Sequence, residues 1–395
     1  MAPDSPSRRT GVSRRALLKG GGVAAFGVAS LAALQLPFFD VEGAEQDPEA
    51  CKATDVSAEQ MKLIISNWPA YIDPKGNKNG TFQRFQNETG ITVDYTDDVN
   101  DNSEFYAKVR NQLGACEPIN RDMMVLTDWM AARMIGLGWI QPLDKAKVPN
   151  LHANLIDSLA HVGWDEKREY SAPWQSGVTG IAYNKAKVKE VRTFDELLTR
   201  SDLKGRISLL TEMRDTMGLT MLSEGIDPSD FQNLDWENAV DKLRKSRRDG
   251  QVRAFTGNEY VQDLSAGNVL ACEAWSGDVA AAEDPNLVFV QPEEGMMIWA
   301  DNMLIPNLAT HHENAERWID YYFDPAVAAK LAAYVWYICP VKGAKEEMEK
   351  IDPSLVDNEL IFPTEEFLSA THSFMALSEG QIRRYEGEYN NVTGG

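Results

Sequence analysis

The chain has 395 residues, 43% of them hydrophobic, with 60 acidic against 39 basic side chains and a formal charge of −21. That length exceeds what one ordinary core fills and predicts two lobes, and the hydrophobic fraction marks a globular chain rather than a disordered one. So much negative charge argues against nucleic acid as a partner and favours cationic ligands, although acidity also serves solubility.

Ser13-Arg14-Arg15-Ala16-Leu17-Leu18-Lys19 resembles the twin-arginine export motif, and Arg8 and Arg9 extend its basic region. The apolar run Gly20 to Leu36 is diluted with Gly and Ala, marginal in length for a spanning helix, and flanked as a signal peptide is. With a small-residue cleavage site expected near Gly43-Ala44, residues 1–44 are read as a signal peptide. Removing them takes away Arg8, Arg9, Arg14, Arg15 and Lys19 but only Asp4, Asp40 and Glu42, so the mature chain is more acidic still. No later stretch is long and apolar enough to cross a membrane, and the expectation is an exported soluble protein of the periplasm or cell envelope. Ala50 before Cys51 is small, as before a lipidated cysteine, but Asp47-Pro48-Glu49 stand where a lipobox is apolar, and no lipidation is expected. Cys51, Cys116, Cys272 and Cys339 form no CxxC, so zinc and thiol-redox chemistry are not indicated. Export permits a disulfide, buried free thiols are an equal alternative, and the sequence chooses none of the three pairings.

Residues 45–57, rich in Glu, Asp and Ala, read as a mobile linker. Lys62 to Trp68 then reads as a strand, Thr81 to Asn87 as a helix stopped by Gly90, and Ile91 to Tyr95 as an alternating strand. Phe105, Val109 and Leu113 have helical spacing within Asn102 to Leu113, and Met123 to Thr127 suits a buried strand. A second unit follows. Gly180 to Asn184 is a strand leading away from Pro173-Trp174-Gln175-Ser176-Gly177, and Thr193-Phe194-Asp195-Glu196 is a capping box opening a helix through Leu198. Ile207 to Leu210 is a strand ending in Thr211-Glu212-Met213-Arg214-Asp215, with a helix from Trp236 to Arg247 beyond it. Val269 to Trp275 and Leu287 to Gln291 are strands, Asn314 to Phe323 is an amphipathic helix, and Asp324-Pro325 opens the next, which ends at Trp336-Tyr337-Ile338-Cys339-Pro340. Strands alternating with helices predict an α/β fold with a mainly parallel sheet.

Ligands in open α/β sheets bind beyond the carboxyl ends of the strands. Those ends carry Trp68 and Tyr71, Thr127 with Asp128 and Trp129, Glu212 with Asp215, and Trp275. The stretch Gly295-Met296-Met297-Ile298-Trp299-Ala300-Asp301-Asn302-Met303-Leu304-Ile305-Pro306 adds the most pointed case. In an extended segment residues two apart share a side, so Trp299 and Asp301 face one cavity, an indole for cation–π attraction beside a full opposite charge. That pairing suits an ammonium with an alkyl chain behind it. A core Trp with an Asp at the strand end is the bland alternative, and the recurrence of aromatics with carboxylates at the other strand ends favours a ligand cleft.

Taken together these segments resemble the periplasmic spermidine/putrescine-binding proteins of ABC transporters. Asn67-Trp68-Pro69-Ala70-Tyr71, Phe105-Tyr106-Ala107-Lys108, Thr211 to Asp215, Trp275-Ser276-Gly277 and Gly295 to Pro306 carry the resemblance, from about Met61 to the last helix. It implies a two-lobed periplasmic-binding-protein fold with the ligand cleft between lobes: residues 58–177 with 300–343 as lobe 1, and 178–299 with 344–395 as lobe 2. It places ligand contacts at Trp68, Tyr71, Thr127, Trp129, Glu212, Asp215, Trp275, Trp299, Asp301 and Tyr337. Three departures bear on the second amine and on the choice between putrescine and spermidine. Pro69 stands where members often have a hydroxyl donor, Trp129 replaces a tyrosine, and Glu212–Asp215 aligns with a one-residue slip.

The resemblance implies a binding protein, not an enzyme, with no cofactor and no metal, acting as a monomer that delivers a polyamine to ABC permease subunits. Asp301 and one of Glu212 or Asp215 would hold opposite ammonium groups, Trp68, Trp275 and Trp299 would sandwich the methylenes, and Tyr71, Thr127 and Tyr337 would orient the amines. Hinges are expected near Trp174 to Gly180, at Trp299, and at Lys342 to Ala344. Glu212 and Asp215 stand too close on one segment to flank a glycoside, there is no GxSxG, and His311-His312-Glu313 lacks HExxH spacing. Tyr321-Tyr322 raises a ferric-ion reading, but within that helix Tyr322 packs with Trp318 and Ile319. His152, His161 and His372 have no ligand spacing. A binder of a cationic amino acid or another organic cation is the competing reading. Arg214 is the candidate partner there for a ligand carboxylate.

Overall fold

In the computed structural model, which describes residue 51 and residues 53–394, each strand expected above is present. The twin-arginine segment, the apolar run and the expected cleavage site lie outside those residues. The strands are β1 (Lys62–Asn67), β2 (Thr92–Asp97), β3 (Met123–Thr127), β4 (Ser171–Asn184), β5 (Ile207–Leu210), β6 (Val252–Thr256), β7 (Ala271–Trp275), β8 (Leu287–Val290), β9 (Met296–Leu304) and β10 (Thr371–His372). Their order is β2-β1-β3-β9-β4-β7-β5-β6, with β10 beside β9 and β8 beside β4.

The expected parallel pairing holds on the two flanks, where β1 joins β2 and β3, and β5 joins β6 and β7. At the centre the expectation fails: β4 and β9 are antiparallel to one another, β9 to β3, and β4 to β7. The cause is the path of the chain, which passes from the first flank to the second in β4 and returns in β9. Gly180–Asn184, read as a strand by itself, is the far end of the 14-residue β4, buried along its whole length. Its register against β9 breaks between Pro173 and Gln175, where a residue without an N–H costs the ladder least.

The core of the first flank runs on into the second through Ala274 and Trp275, and the second flank has a further core of its own. Phe85, Trp318, Trp174 and Tyr322 lie in that of the first, and Leu209, Met217, Trp236 and Tyr385 in that of the second. Tyr322 is buried with its hydroxyl donating to the Trp174 carbonyl. The helix Thr81–Thr89 ends at Gly90 with φ 75°, and Pro325–Val335 opens on Asp324, which accepts from the N–H groups of Ala326 and Val327. At Phe194–Thr199 the expected capping box is only half made. Thr193 accepts from the Glu196 N–H, but the Glu196 carboxylate takes the N–H of Arg192, one residue further out.

Cys51 is joined to Cys116 by a disulfide, while Cys272 and Cys339 are free and buried. The bond holds part of the segment read as a linker against the body, as does the Val56 N–H on the Thr310 carbonyl at 2.8 Å. The helix Ala344–Ile351 and the turn after it join the first core through Ala344, Met348, Leu355 and Ile361. The C-terminal helix Glu379–Thr393 is fixed to the second flank, with Tyr385 stacked on Trp236 at 4.0 Å and the Tyr389 hydroxyl donating to the Leu210 carbonyl. Among the described residues no helix is long and apolar enough to cross a membrane.

Candidate ligand cleft

Where β3 and β5 end on either side of the β9–β4 pair, a cleft holds about 730 Å³ of atom-free space, its mouth included, within the range usual for small-molecule sites. Trp68, Tyr71, Thr127, Trp129, Glu212, Asp215, Trp275, Trp299, Asp301 and Tyr337 all line it. Ten residues spread over 270 positions of sequence are thus brought to one cavity.

Asp301 is 4% exposed and held by two hydroxyl donors. The Tyr71 hydroxyl donates to its Oδ2 at 2.9 Å and the Thr127 hydroxyl to its Oδ1 at 2.8 Å. Burial nevertheless pushes its carboxyl up to about 7, against the pull of those two donors. β9 pairs Asp301 with Thr127 of β3 on one side and with Gln175 of β4 on the other, which fixes its backbone. Two residues earlier Trp299 faces the same space, its Nε1 donating to Thr179 Oγ1 at 2.9 Å. The aromatic walls close round these groups: Trp68 meets Trp275 edge-on at 5.7 Å, and Tyr337 meets Tyr71 at 5.1 Å and Trp299 at 5.5 Å. Gly177 and Gly277 make room for that box. A Cβ on Gly177 would fall 2.7 Å from the Trp299 ring, and one on Gly277 2.5 Å from the Tyr337 ring.

The second flank supplies carboxylates from the start of the helix Met213–Leu222. Glu212 precedes that helix and Asp215 lies in its first turn, where the helix dipole favours negative charge. Asp215 accepts from Trp275 Nε1 at 2.9 Å, and burial lifts its carboxyl to about 6. Glu212 is already engaged, accepting at Oε1 from the N–H of Asn102 at 2.7 Å and from its Nδ2 at 2.9 Å. Asn102 also donates to Thr127 Oγ1 at 2.8 Å, so one amide links Glu212 to the group that holds Asp301. Burial raises Glu212 well above the carboxylate range.

Several lining residues are not among the ten expected ligand contacts. Asp278, three residues past Trp275 on the next helix, accepts from the Tyr337 hydroxyl at 2.7 Å, from Asn258 at 2.6 Å and from Tyr260 at 3.0 Å. A carboxylate just past a strand end is the sequence signal it shares with Asp215. Asp128, raised by burial to about 6, and Phe374 also line the cleft. Arg214 lies with its guanidinium carbon 3.4 Å from the centre of the Trp129 ring and its Nε without a hydrogen-bond partner. Among the described residues no cluster of His, Cys, Asp and Glu is arranged to hold a metal ion.

A chain with this cleft between two sheet flanks matches the model of the bacterial extracellular solute-binding proteins over residues 80–361. The chain belongs to that family. Its members are binding components of transporters rather than an enzyme family. Among the relatives of this family member, a spermidine/putrescine-binding periplasmic protein 1 of Haemophilus influenzae is 27% identical, over 87% of this chain and 91% of its own length. The putrescine-binding periplasmic protein PotF of Escherichia coli is 30% identical over 73% of this chain and 80% of its own. Among solved structures, a putative spermidine/putrescine ABC transporter protein from Listeria monocytogenes superposes with a TM-score of 0.74 at 28% identity. That match covers 84% of this chain and 99% of the other.

Proposed function

We propose that this solute-binding protein captures a polyamine, putrescine or spermidine, in the cleft and hands it to the permease of an ABC importer. The observation that carries the reading is Asp301: a buried carboxylate held by two hydroxyl donors, with no cation paired to it among the described residues, inside a box of Trp68, Trp275, Trp299 and Tyr337. Uncompensated buried charge is costly, and an ammonium would offset it while the indoles cover the methylenes and add about 2 kcal/mol of cation–π attraction. Asp215 is the better partner for a second ammonium than Glu212, whose Oε1 is already taken by Asn102. The names of the relatives point the same way.

The rest of the reading follows from this role. The protein acts without catalysis, as a monomer and without nucleic acid. It is exported behind a twin-arginine signal peptide spanning residues 1–44 to the periplasm or cell envelope. Lobe 1 takes β1 to β3 with the adjoining end of β9, and lobe 2 takes β5 to β8; Gly177 to Gly180 and Trp299 are the hinge. The segment Ala344 to Phe362 goes with lobe 1, because its helix Ala344–Ile351 packs on Pro325–Val335. Ligand touching both lobes favours the closed state by its differential affinity.

Isothermal titration calorimetry of the mature protein with putrescine, spermidine, arginine and glutamate, beside an Asp301→Asn variant, tests the proposal. Micromolar or tighter polyamine binding that the variant loses is the expected result. Binding of arginine or glutamate alone would overturn the ligand and leave the fold untouched, with Arg214 then the candidate for the carboxylate.

A further inference from the structure

The two flanks also meet outside the cleft. The C-terminal helix Glu379–Thr393 is built into the second flank on one side: Tyr385 stacks on Trp236, Trp236 Nε1 donates to Glu388 at 2.6 Å, and Arg384 reaches Glu237 at 2.7 Å. Its other side carries Glu379 and Glu386 towards the helices Asn102–Gly114 and Asp128–Gly136 of the first flank. There Arg133 donates from Nε and Nη2 to the two oxygens of Glu379, both at 3.0 Å, and Ser103 donates to Glu386 at 3.2 Å. None of these four residues lines the ligand cleft.

We infer that Arg133 and Glu379 form a clasp, a pair of positioning residues that favours the closed arrangement before any ligand arrives. Exposed ion pairs contribute little, but a bidentate, pre-arranged arginine is the exception. Here the guanidinium is already held 4.1 Å over the Tyr106 ring, and Tyr106 in turn stacks on Trp139 at 5.8 Å. The Arg133 side chain is 11% exposed against 48% for Glu379, so one partner is fixed and largely desolvated while the other arrives from water. A second stacked arginine lies between the flanks beside it, Arg214 of the second on Trp129 of the first. The last helix, remote in sequence from every cleft residue of β1 and β3, thereby takes part in closure.

The kinetic arm rests on the polyamine reading; the distance arm does not. Nitroxides at Arg110→Cys and Asn238→Cys, on the first and second flanks, report the separation of the flanks by double electron–electron resonance without ligand. In the unclasped Glu379→Gln and Arg133→Gln variants the long-distance population is expected to grow, with putrescine dissociating about three- to fivefold faster. The exchanged pair, Arg133→Glu with Glu379→Arg, is expected to restore both. Unaltered distances in variants with wild-type melting curves would overturn the clasp, as would failure of the exchanged pair to recover. Should no polyamine bind, the distance arm alone decides, and the loss falls on the ligand assignment.

Discussion

Tyr71 and Asp301, 230 residues apart in sequence, meet at 2.9 Å with the phenol donating to the carboxylate. Tyr71 lies in the turn after β1 and Asp301 within β9, so the bond anchors that turn on the central strand. A carboxylate held by two donors in the empty cleft is oriented before ligand arrives, which lowers the ordering cost of binding.

Replacing that carboxylate should remove most of the affinity. Asp301→Asn keeps the shape and an acceptor for Tyr71 but takes away the charge that an ammonium needs. Truncating one member of a buried charge pair costs roughly 2 to 5 kcal/mol, so calorimetry should show putrescine bound at least thirtyfold more weakly. Thermal unfolding of the empty variant should be unchanged or raised, because an uncompensated buried charge has gone.

Binding should release protons. Burial holds Asp301 at about 7 and Asp215 at about 6 in the empty cleft, and an ammonium beside each favours the ionised form. Titration at pH 6 in two buffers of different ionisation heat should show about one proton leaving per ligand, and affinity should rise from pH 5.5 to pH 8. For the empty protein the sign is opposite. Carboxyls raised above their ordinary value of 3.8 bind more protons folded than unfolded, so their contribution favours folding at low pH and is lost as pH rises from about 4 to about 7. Melting temperatures of Asp301→Asn and the parent should therefore diverge across that window.

The cleft walls depend on a missing side chain. Gly177→Ala would put a methyl 2.7 Å from the Trp299 ring and 2.8 Å from the Tyr337 ring. Overpacking of this kind costs about 1 to 3 kcal/mol, and here the rings that must move are the proposed ligand contacts. A drop in putrescine affinity of about tenfold or more is expected, with near-native circular dichroism.

Stability away from the cleft rests partly on Asp122, 2% exposed just before β3. It accepts from the Ile64 N–H at 2.9 Å, from the His311 N–H at 3.1 Å and from His311 Nδ1 at 2.9 Å, tying β1 to the loop before the helix His312–Tyr322. Asp122→Ala leaves those groups buried without partners, and urea unfolding should show a loss of about 3 kcal/mol.

Much of this was legible in the sequence because local spacing encodes it. Trp299 and Asp301 are two apart on a strand and do face one cavity, and Met123–Thr127 and Ile207–Leu210 are strands as their apolar runs predict. What escaped was set by contacts distant in sequence. Asp278 takes its meaning from Tyr337, 59 residues on, and Asn102 from Glu212, 110 residues on. β6, with Arg253 inside its short run, shows no alternation, and β10 is two residues long. The Cys51–Cys116 pairing depends on the end of the helix Asn102–Gly114 coming back to the N-terminal segment, which no spacing announces. The antiparallel centre was hidden because β4 and β9 belong to neither flank's βα pattern.

Those two strands are paired from Ser171 with Leu304 to Thr179 with Met297, with one shift of register between Pro173 and Gln175. A slip of one residue would turn every side chain of β9 to the wrong face, carrying Asp301 out of the cleft. Opening about the hinge proposed above would twist this pair of strands without changing its register from Gln175 to Thr179, and so would return Trp299 and Asp301 to the same place.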